Sequence, residues 1–341
     1  NVMNLDNFNF YLPKNCIAQE PIKTRSNSNL LVIDRSSNKL TDEKFINLDK
    51  YLNKNDLLII NDTKVIPARI FGNRKKTKGK VEIFVERIFS ETSFICQIKS
   101  TRKLNVNDII LVDNNVELEI KKNDGILCHI NILNYTVKNL LNNFGEVPLP
   151  PYISREPNAA DKSSYQTIFA TEDGSVAAPT AALHFDSNVI KKIKDKNVGI
   201  ANITLHIGMG TFSTIKTDDI NKHKMHSELF CIPENTCDLI KKCKENNGKV
   251  IAVGTTVARA LESFYCYQHE SNKFYETNIF IKPGYDFKIV DRLITNFHLP
   301  KSSLLIMISA FYNTEKVLKA YKYAIENNYK FFSYGDSTLI L

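Results

Sequence analysis

The stretch Lys249–Ser263, KVIAVGTTVARALES, decides the fold. Lys249–Val253 reads as a buried strand, Gly254-Thr255-Thr256 as a turn, and a helix begins at once over Thr255–Tyr265. A strand that feeds a helix through a small-residue turn is the unit of an α/β layered domain. The same alternation extends outward. Upstream, Asp186–Asn197 has helical spacing with Asp186 or Ser187 as N-cap, Val198–Ile207 reads as a buried strand, and Gly248 ends a helix over Glu234–Asn247. Downstream, the pattern predicts a strand at Asn278–Ile281, helices at Ser302–Phe311 and Glu315–Asn327, and a closing extended segment at Lys330–Tyr334.

Residues 72–133 follow a different rule. Lys80–Phe89, Ser93–Lys99, Asp108–Val112, Val116–Ile120 and Ile126–Ile132 are short strand-like runs with no long helix between them. Val81, Ile83 and Val85 alternate with Glu82 and Phe84, and Asn123-Asp124-Gly125 is a hairpin turn. The expected architecture is an α/β main domain, residues 1–71 and 145–341, with a small antiparallel β-barrel inserted as residues 72–144. Leu30–Asp34 and Asp56–Asn61 are the main domain's first strands.

Composition bounds the function. The chain has 341 residues, 43% hydrophobic and 24% charged, as a globular protein of about two domains does. Its net charge of +8 fits an anionic partner such as RNA without requiring one. The apolar run Leu304–Phe311 is far too short to span a bilayer, and Asn1–Phe10 lacks a basic stretch followed by an apolar one. Seven cysteines without a CxxC pair point to a reduced, cytoplasmic setting.

Five of the seven histidines lie in segments rich in small residues: Gly174–Phe185 (GSVAAPTAALHF), Thr204–Phe212 (TLHIGMGTF), His223–Glu228 (HKMHSE) and Thr295–Ser303 (TNFHLPKSS). Small residues let backbone approach a ligand, and imidazole titrates near neutrality. A helix N-terminus at Gly254, Thr255 and Thr256, with Arg259 one turn on, makes an anion pocket; the competing reading is a helix capped by Thr255 whose Arg259 pairs with Glu262 or another surface carboxylate. Gly208, Gly210 and Thr211 permit close approach after a strand, although the spacing is not a dinucleotide fingerprint. His223 and His226, with His206 or His184, raise a zinc-dependent hydrolase as one alternative; a non-catalytic RNA-binding protein is another. His298 and Asp336 each sit beside a turn.

Taken together, these segments resemble the S-adenosylmethionine:tRNA ribosyltransferase-isomerase family of queuosine biosynthesis. The resemblance also rests on Ile17–Pro21 (IAQEP), Leu30–Arg35 (LLVIDR), Asn61–Arg69 (NDTKVIPAR), Gly145–Ile153 (GEVPLPPYI), Tyr165–Phe169 (YQTIF) and Phe332–Asp336 (FSYGD). Ala182 and Val257-Ala258 depart from the family pattern of Gly and Ser-Val. The resemblance implies transfer of the S-adenosylmethionine ribosyl group onto 7-aminomethyl-7-deazaguanine in tRNA. The products would be epoxyqueuosine-tRNA, adenine and methionine, with S-adenosylmethionine consumed as co-substrate and no metal or other cofactor. The partners are then that tRNA and S-adenosylmethionine, with no membrane, and the enzyme is expected to be a monomer. Gly254, Thr255, Thr256 and Arg259 would take the methionine carboxylate, with Gly208, Gly210, Thr211 and His298 also at the substrate. Base and acid roles fall among His184, His206, His226 and Asp336, unranked. The Arg74–Lys80 loop and Lys residues on the α/β rim are candidate tRNA contacts.

Overall fold

The computed structural model describes residues 2–341. A nine-stranded sheet forms the main domain, and its middle is parallel: Gly199–His206, Leu57–Asn61, Val250–Val253 and Arg292–Asn296 lie side by side. Antiparallel strands Glu228–Cys231 and Phe274–Thr277 extend one edge. On the other, Ser337–Ile340 runs antiparallel to Arg292–Asn296 and parallel to Asn29–Asp34, which pairs with the outermost strand Lys39–Lys44.

The apolar runs of the central strands are explained by burial on both faces. Leu57 and Ile59, with Val250 and Ala252, pack under helices Glu234–Glu245, Thr255–Cys266, Ser303–Phe311 and Thr314–Glu326. The intervening Leu58, Ile60, Ile251 and Val253 face the opposite layer, built on helix Ser187–Asp195 and on Phe45, Leu48 and Phe185. The Asp186 carboxylate caps that helix by accepting from the Val189 N–H.

Six antiparallel strands, Arg69–Arg74, Lys80–Ser90, Ser93–Ser100, Ile109–Val112, Val116–Asn123 and Cys128–Ile132, close into a barrel. Val81, Ile83 and Val85 point into its core. The first barrel strand starts at Arg69, ahead of position 72, because its ladder with Lys80–Ser90 begins at Arg69 opposite Phe84; an isolated bridge also joins Arg69 to Glu146 on the returning chain.

Two expected strands lie elsewhere. Asn278–Ile281 makes no ladder; the strand is Phe274–Thr277, whose pairing with Glu228–Cys231 sets the register, while Ile281 buries its side chain without strand pairing. Lys330–Tyr334 is largely turn, and the ladder is made by Ser337–Ile340. The Asp336 carboxylate closes that turn, accepting from the Lys330 and Asn29 N–H groups at 2.7 and 2.8 Å. Polar Ser337 and Thr338 hid the strand from a hydrophobicity reading. No helix of the described residues is long and apolar enough to cross a membrane.

Candidate active site

The parallel strands end on one side of the sheet, and the segments leaving their carboxyl ends enclose a cleft of about 730 Å³ including its mouth. Ile207, Thr211 and Phe212 line it after one strand, Gly254, Thr255 and Thr256 after the next, and Phe297, His298 and Leu299 after the third. The carboxyl edge of a parallel sheet is where α/β folds open to ligands. The small-residue loop supplies Ala177–Ala181, and Tyr152, Phe332 and Ser333 complete the wall. Tyr152 packs against Phe332 and Phe212, with ring centroids 4.5 and 6.1 Å apart, giving the cleft an aromatic side.

Gly254 adopts φ of +105°, a conformation an L side chain rarely tolerates, and its N–H donates to the Ile294 carbonyl. With glycine as N-cap, no side chain caps helix Thr255–Cys266, whose first N–H groups have no intrahelical acceptor and carry the positive end of the helix dipole. Arg259 does not join them. It is 3% exposed, does not line the cleft, and its Nη1 donates to Glu228 Oε2 at 2.7 Å. This corrects both readings of Arg259, as anion clamp and as partner of Glu262 or another surface carboxylate, since Glu228 is buried. Its partner stands on a sheet strand, and the Glu262 carboxylate instead accepts the backbone N–H groups of Lys288, Ile289 and Val290.

The three histidines expected to move protons differ in surroundings. His184 is fully enclosed and both ring nitrogens are used. Asn296 donates its Nδ2 to the Phe332 carbonyl, so its Oδ1 accepts from His184 Nε2–H at 2.7 Å, and Nδ1 in turn accepts from the Ser28 hydroxyl at 2.7 Å. Burial lowers its pKa, and the ring stacks on Phe45. His184 therefore supports Asn296, which lines the cleft, and does not face the cleft itself. His206 Nδ1 meets Thr63 Oγ1 at 2.9 Å, which bonds onward to Ser175 Oγ. Burial lowers the His206 pKa against the opposing pull of Glu172 and Asp173. His226 stands over Gly210, with its Nε2 3.2 Å from Glu228 Oε1.

His298 lines the cleft with Nε2 2.8 Å from Thr295 Oγ1, and burial pushes its pKa down to about 3, so the ring is neutral. Of the turn residues, Thr211 lines the cleft, Gly208 lies near Glu86 of the barrel, and Gly210 lies under His226. Asp336 is spent on backbone N–H groups, which corrects its place among the proton-transfer candidates. Among the described residues, no three His, Cys, Asp or Glu side chains gather as a metal site, and His223 and His226 do not share a helix. Sequence reasoning missed Asn296, Ser333, Tyr152 and Phe332. Each lies inside or beside a quoted segment, but only the fold brings those segments to one wall.

Residues 5–340 match the family model described as queuosine biosynthesis protein. A protein of Sulfurihydrogenibium sp. named S-adenosylmethionine:tRNA ribosyltransferase-isomerase is 46% identical over 99% of this chain and all of its own. A protein of the same name from Vesicomyosocius okutanii is 48% identical over 99% of this chain and 98% of its own. The crystal structure of S-adenosylmethionine tRNA ribosyltransferase from Thermotoga maritima is also similar, with a TM-score of 0.56 and 28% identity over 98% of this chain and all of that one. The open helix terminus, the imidazole-bearing small-residue segments and the inserted barrel thus sit in a chain that belongs to the queuosine biosynthesis protein family of transferase-isomerases.

Proposed function

We propose that the protein moves the ribosyl group of S-adenosylmethionine onto 7-aminomethyl-7-deazaguanine in tRNA and isomerises it, releasing adenine and methionine and leaving epoxyqueuosine. The observation that carries this reading is the cleft itself: an uncapped helix N-terminus at one end, an aromatic wall, and histidine-bearing segments along the rim. The methionine carboxylate fits the N–H groups at Thr255 and Thr256, which supply positive potential with no ionisable side chain. Tyr152, Phe212 and Phe332 offer flat apolar surface to the nucleoside.

The sulfonium makes the chemistry accessible. It acidifies the ribose C5′ and later departs as a neutral thioether. A base removes that proton, adenine leaves as the ring opens, and the amine of the tRNA base attacks before closure to the epoxycyclopentane. His226 and His206 are our candidates for the proton steps, and His298, neutral beside Thr295, for orienting the sugar. His184 acts through Asn296.

The reaction belongs in the cytoplasm, with tRNA, and we take the enzyme to act as a monomer. Within the Arg74–Lys80 loop, Arg74 and Lys75 bond to Arg102 and Glu117 on the barrel surface, which leaves exposed Lys76, Lys78 and Lys80 for phosphate contacts. The decisive assay is release of free adenine from S-adenosylmethionine. It should require tRNA carrying the aminomethyl-deazaguanine base. Absence of adenine, or release independent of that tRNA, would refute the assignment.

A further inference from the structure

Among the described residues, the most deeply buried ion pair stands behind the cleft wall. Glu228 opens strand Glu228–Cys231 and Arg259 lies in helix Thr255–Cys266; each is 3% exposed. Arg259 Nη1 donates to Glu228 Oε2 at 2.7 Å, and Arg259 Nε donates to the Ile279 carbonyl at 3.3 Å. The other carboxylate oxygen, Oε1, lies 3.2 Å from His226 Nε2, close enough for an ion pair but not aligned as a full hydrogen bond.

Three atoms of this row, Arg259 Nη2, Glu228 Oε1 and His226 Nε2, are buried without an aligned partner. Such atoms are costly in a core, and a buried ion pair is weak evidence of a stabilising role. Burial pushes the Glu228 carboxyl up, but Arg259 and His226 outweigh it and hold the group below its ordinary value.

The row ends next to the cleft, whose lining includes neither His226 nor Gly210 but does include the residues that follow Gly210. The His226 ring packs on Gly210, where a Cβ would come within 2.6 Å of its Cγ, and the next residues, Thr211 and Phe212, line the cleft. His226 Nδ1 makes no hydrogen bond among the described residues. The other titratable groups facing this ring are His223 on its own segment and Glu86 from the barrel, which also accepts from the Met209 N–H.

We propose that Arg259 and Glu228 are positioning residues: Arg259 fixes the carboxylate, and the carboxylate orients His226 through Nε2–H so that Nδ1 accepts the substrate proton. The inference rests on the proposed function. In the step it serves, the ribose C5′–H bond breaks, an N–H bond forms at Nδ1, and the electron pair stays on the carbon beside the sulfonium. Glu228 then faces an imidazolium, the charge it is placed to stabilise.

The test compares wild type, Glu228→Gln and the double variant Glu228→Gln/Arg259→Gln. The readouts are Tm, S-adenosylmethionine affinity by calorimetry, and single-turnover adenine release. The single variant strands a buried guanidinium and loses Tm. The double variant, with no buried charge left, is expected to recover most of that Tm and to bind S-adenosylmethionine within about threefold of wild type, while release stays down by about a hundredfold. Recovery of rate together with Tm would overturn the proposal, because the pair would then be structural only. Adding His226→Gln to either variant gives a second reading: the losses should not multiply, since all three residues serve one proton transfer. Multiplying losses would overturn it too. A wild-type enzyme that releases no adenine would instead place the fault in the proposed function.

Discussion

His184 Nε2 lies 2.7 Å from Asn296 Oδ1, and the Asn296 amide is fixed at its other end by the Phe332 carbonyl. The hydrogen-bond pattern makes His184 a neutral donor and makes Asn296 a rigid part of the cleft wall. His184→Ala should therefore leave Asn296 Oδ1 and Ser28 Oγ without partners and open a cavity beside Phe45. The expected cost is about 2–4 kcal/mol in denaturant unfolding. His184→Gln, which can still donate to Asn296, should keep single-turnover adenine release within about tenfold of wild type. A loss of about a thousandfold in the Gln variant would return His184 to the proton-transfer candidates.

Glu262 makes a second prediction, about stability alone. Its Oε1 accepts from Ile289 and Val290 N–H at 3.0 Å each, and its Oε2 accepts from Lys288 N–H at 2.8 Å and from the Tyr285 hydroxyl at 3.1 Å. One carboxylate thus ties helix Thr255–Cys266 to the segment entering strand Arg292–Asn296. Glu262→Gln puts an NH2 group against backbone donors and should cost about 2–4 kcal/mol, seen as a lower urea midpoint at unchanged slope. Once folded, the variant should bind S-adenosylmethionine as wild type does. An unchanged midpoint would mean these bonds add nothing.

Two glycines carry a test of the two imidazoles. A Cβ on Gly174 would sit 2.7 Å from His206 Nδ1, and one on Gly210 would sit 2.6 Å from His226 Cγ. Each alanine must displace a ring by several tenths of an ångström; at Gly174, whose φ is +149°, it also strains the backbone, so a loss of adenine-release rate there is read beside the Tm of the variant. Gly174→Ala and Gly210→Ala should both lower the rate of adenine release, by about tenfold or more, with little change in S-adenosylmethionine affinity. If either variant keeps the wild-type rate, the ring it displaces takes no part in the chemistry.

The layered architecture was readable because the central strands bury both faces, and Lys249–Ser263 announces strand, turn and helix in direct succession. The barrel was readable from the alternation at Val81, Ile83 and Val85. Pairing across long sequence distances was not readable. Nothing near Arg259 identifies Glu228 as its partner, since only the sheet brings strand Glu228–Cys231 to that helix. The same holds for Asp336, whose turn-forming role depends on Asn29 at the far end of the chain. Strand Ser337–Ile340 escaped notice because half of it is polar: Thr338 stands inside the sheet by donating to the Thr295 carbonyl, and Ser337 is buried there with its hydroxyl unpartnered. The cleft-facing segments, by contrast, declared themselves through small residues, which a core would not choose.

Burial of neutral histidines predicts how stability depends on pH. His184, His206, His223 and His298 are all lowered from 6.5, chiefly by burial, and His298 reaches about 3. A group whose folded pKa lies below its unfolded value binds its proton preferentially in the unfolded chain. Stability from these groups is therefore complete above pH 6.5 and falls as pH drops below it, by at most about 1.4 kcal/mol per pH unit for each group. Asp62 and Glu86, raised by burial, act in the opposite sense but closer to the carboxylate range, and Glu228 contributes its loss only below its ordinary 4.5. Between pH 6.5 and 5 the histidines should dominate. Tm should fall across that window, and calorimetry in buffers of different ionisation enthalpy should show protons taken up on unfolding. His298→Gln should flatten the slope by close to one proton. A Tm equal at pH 7.5 and 5.5 would mean the rings already carry charge in the folded state, and His298 could not then serve as a neutral partner to the sugar.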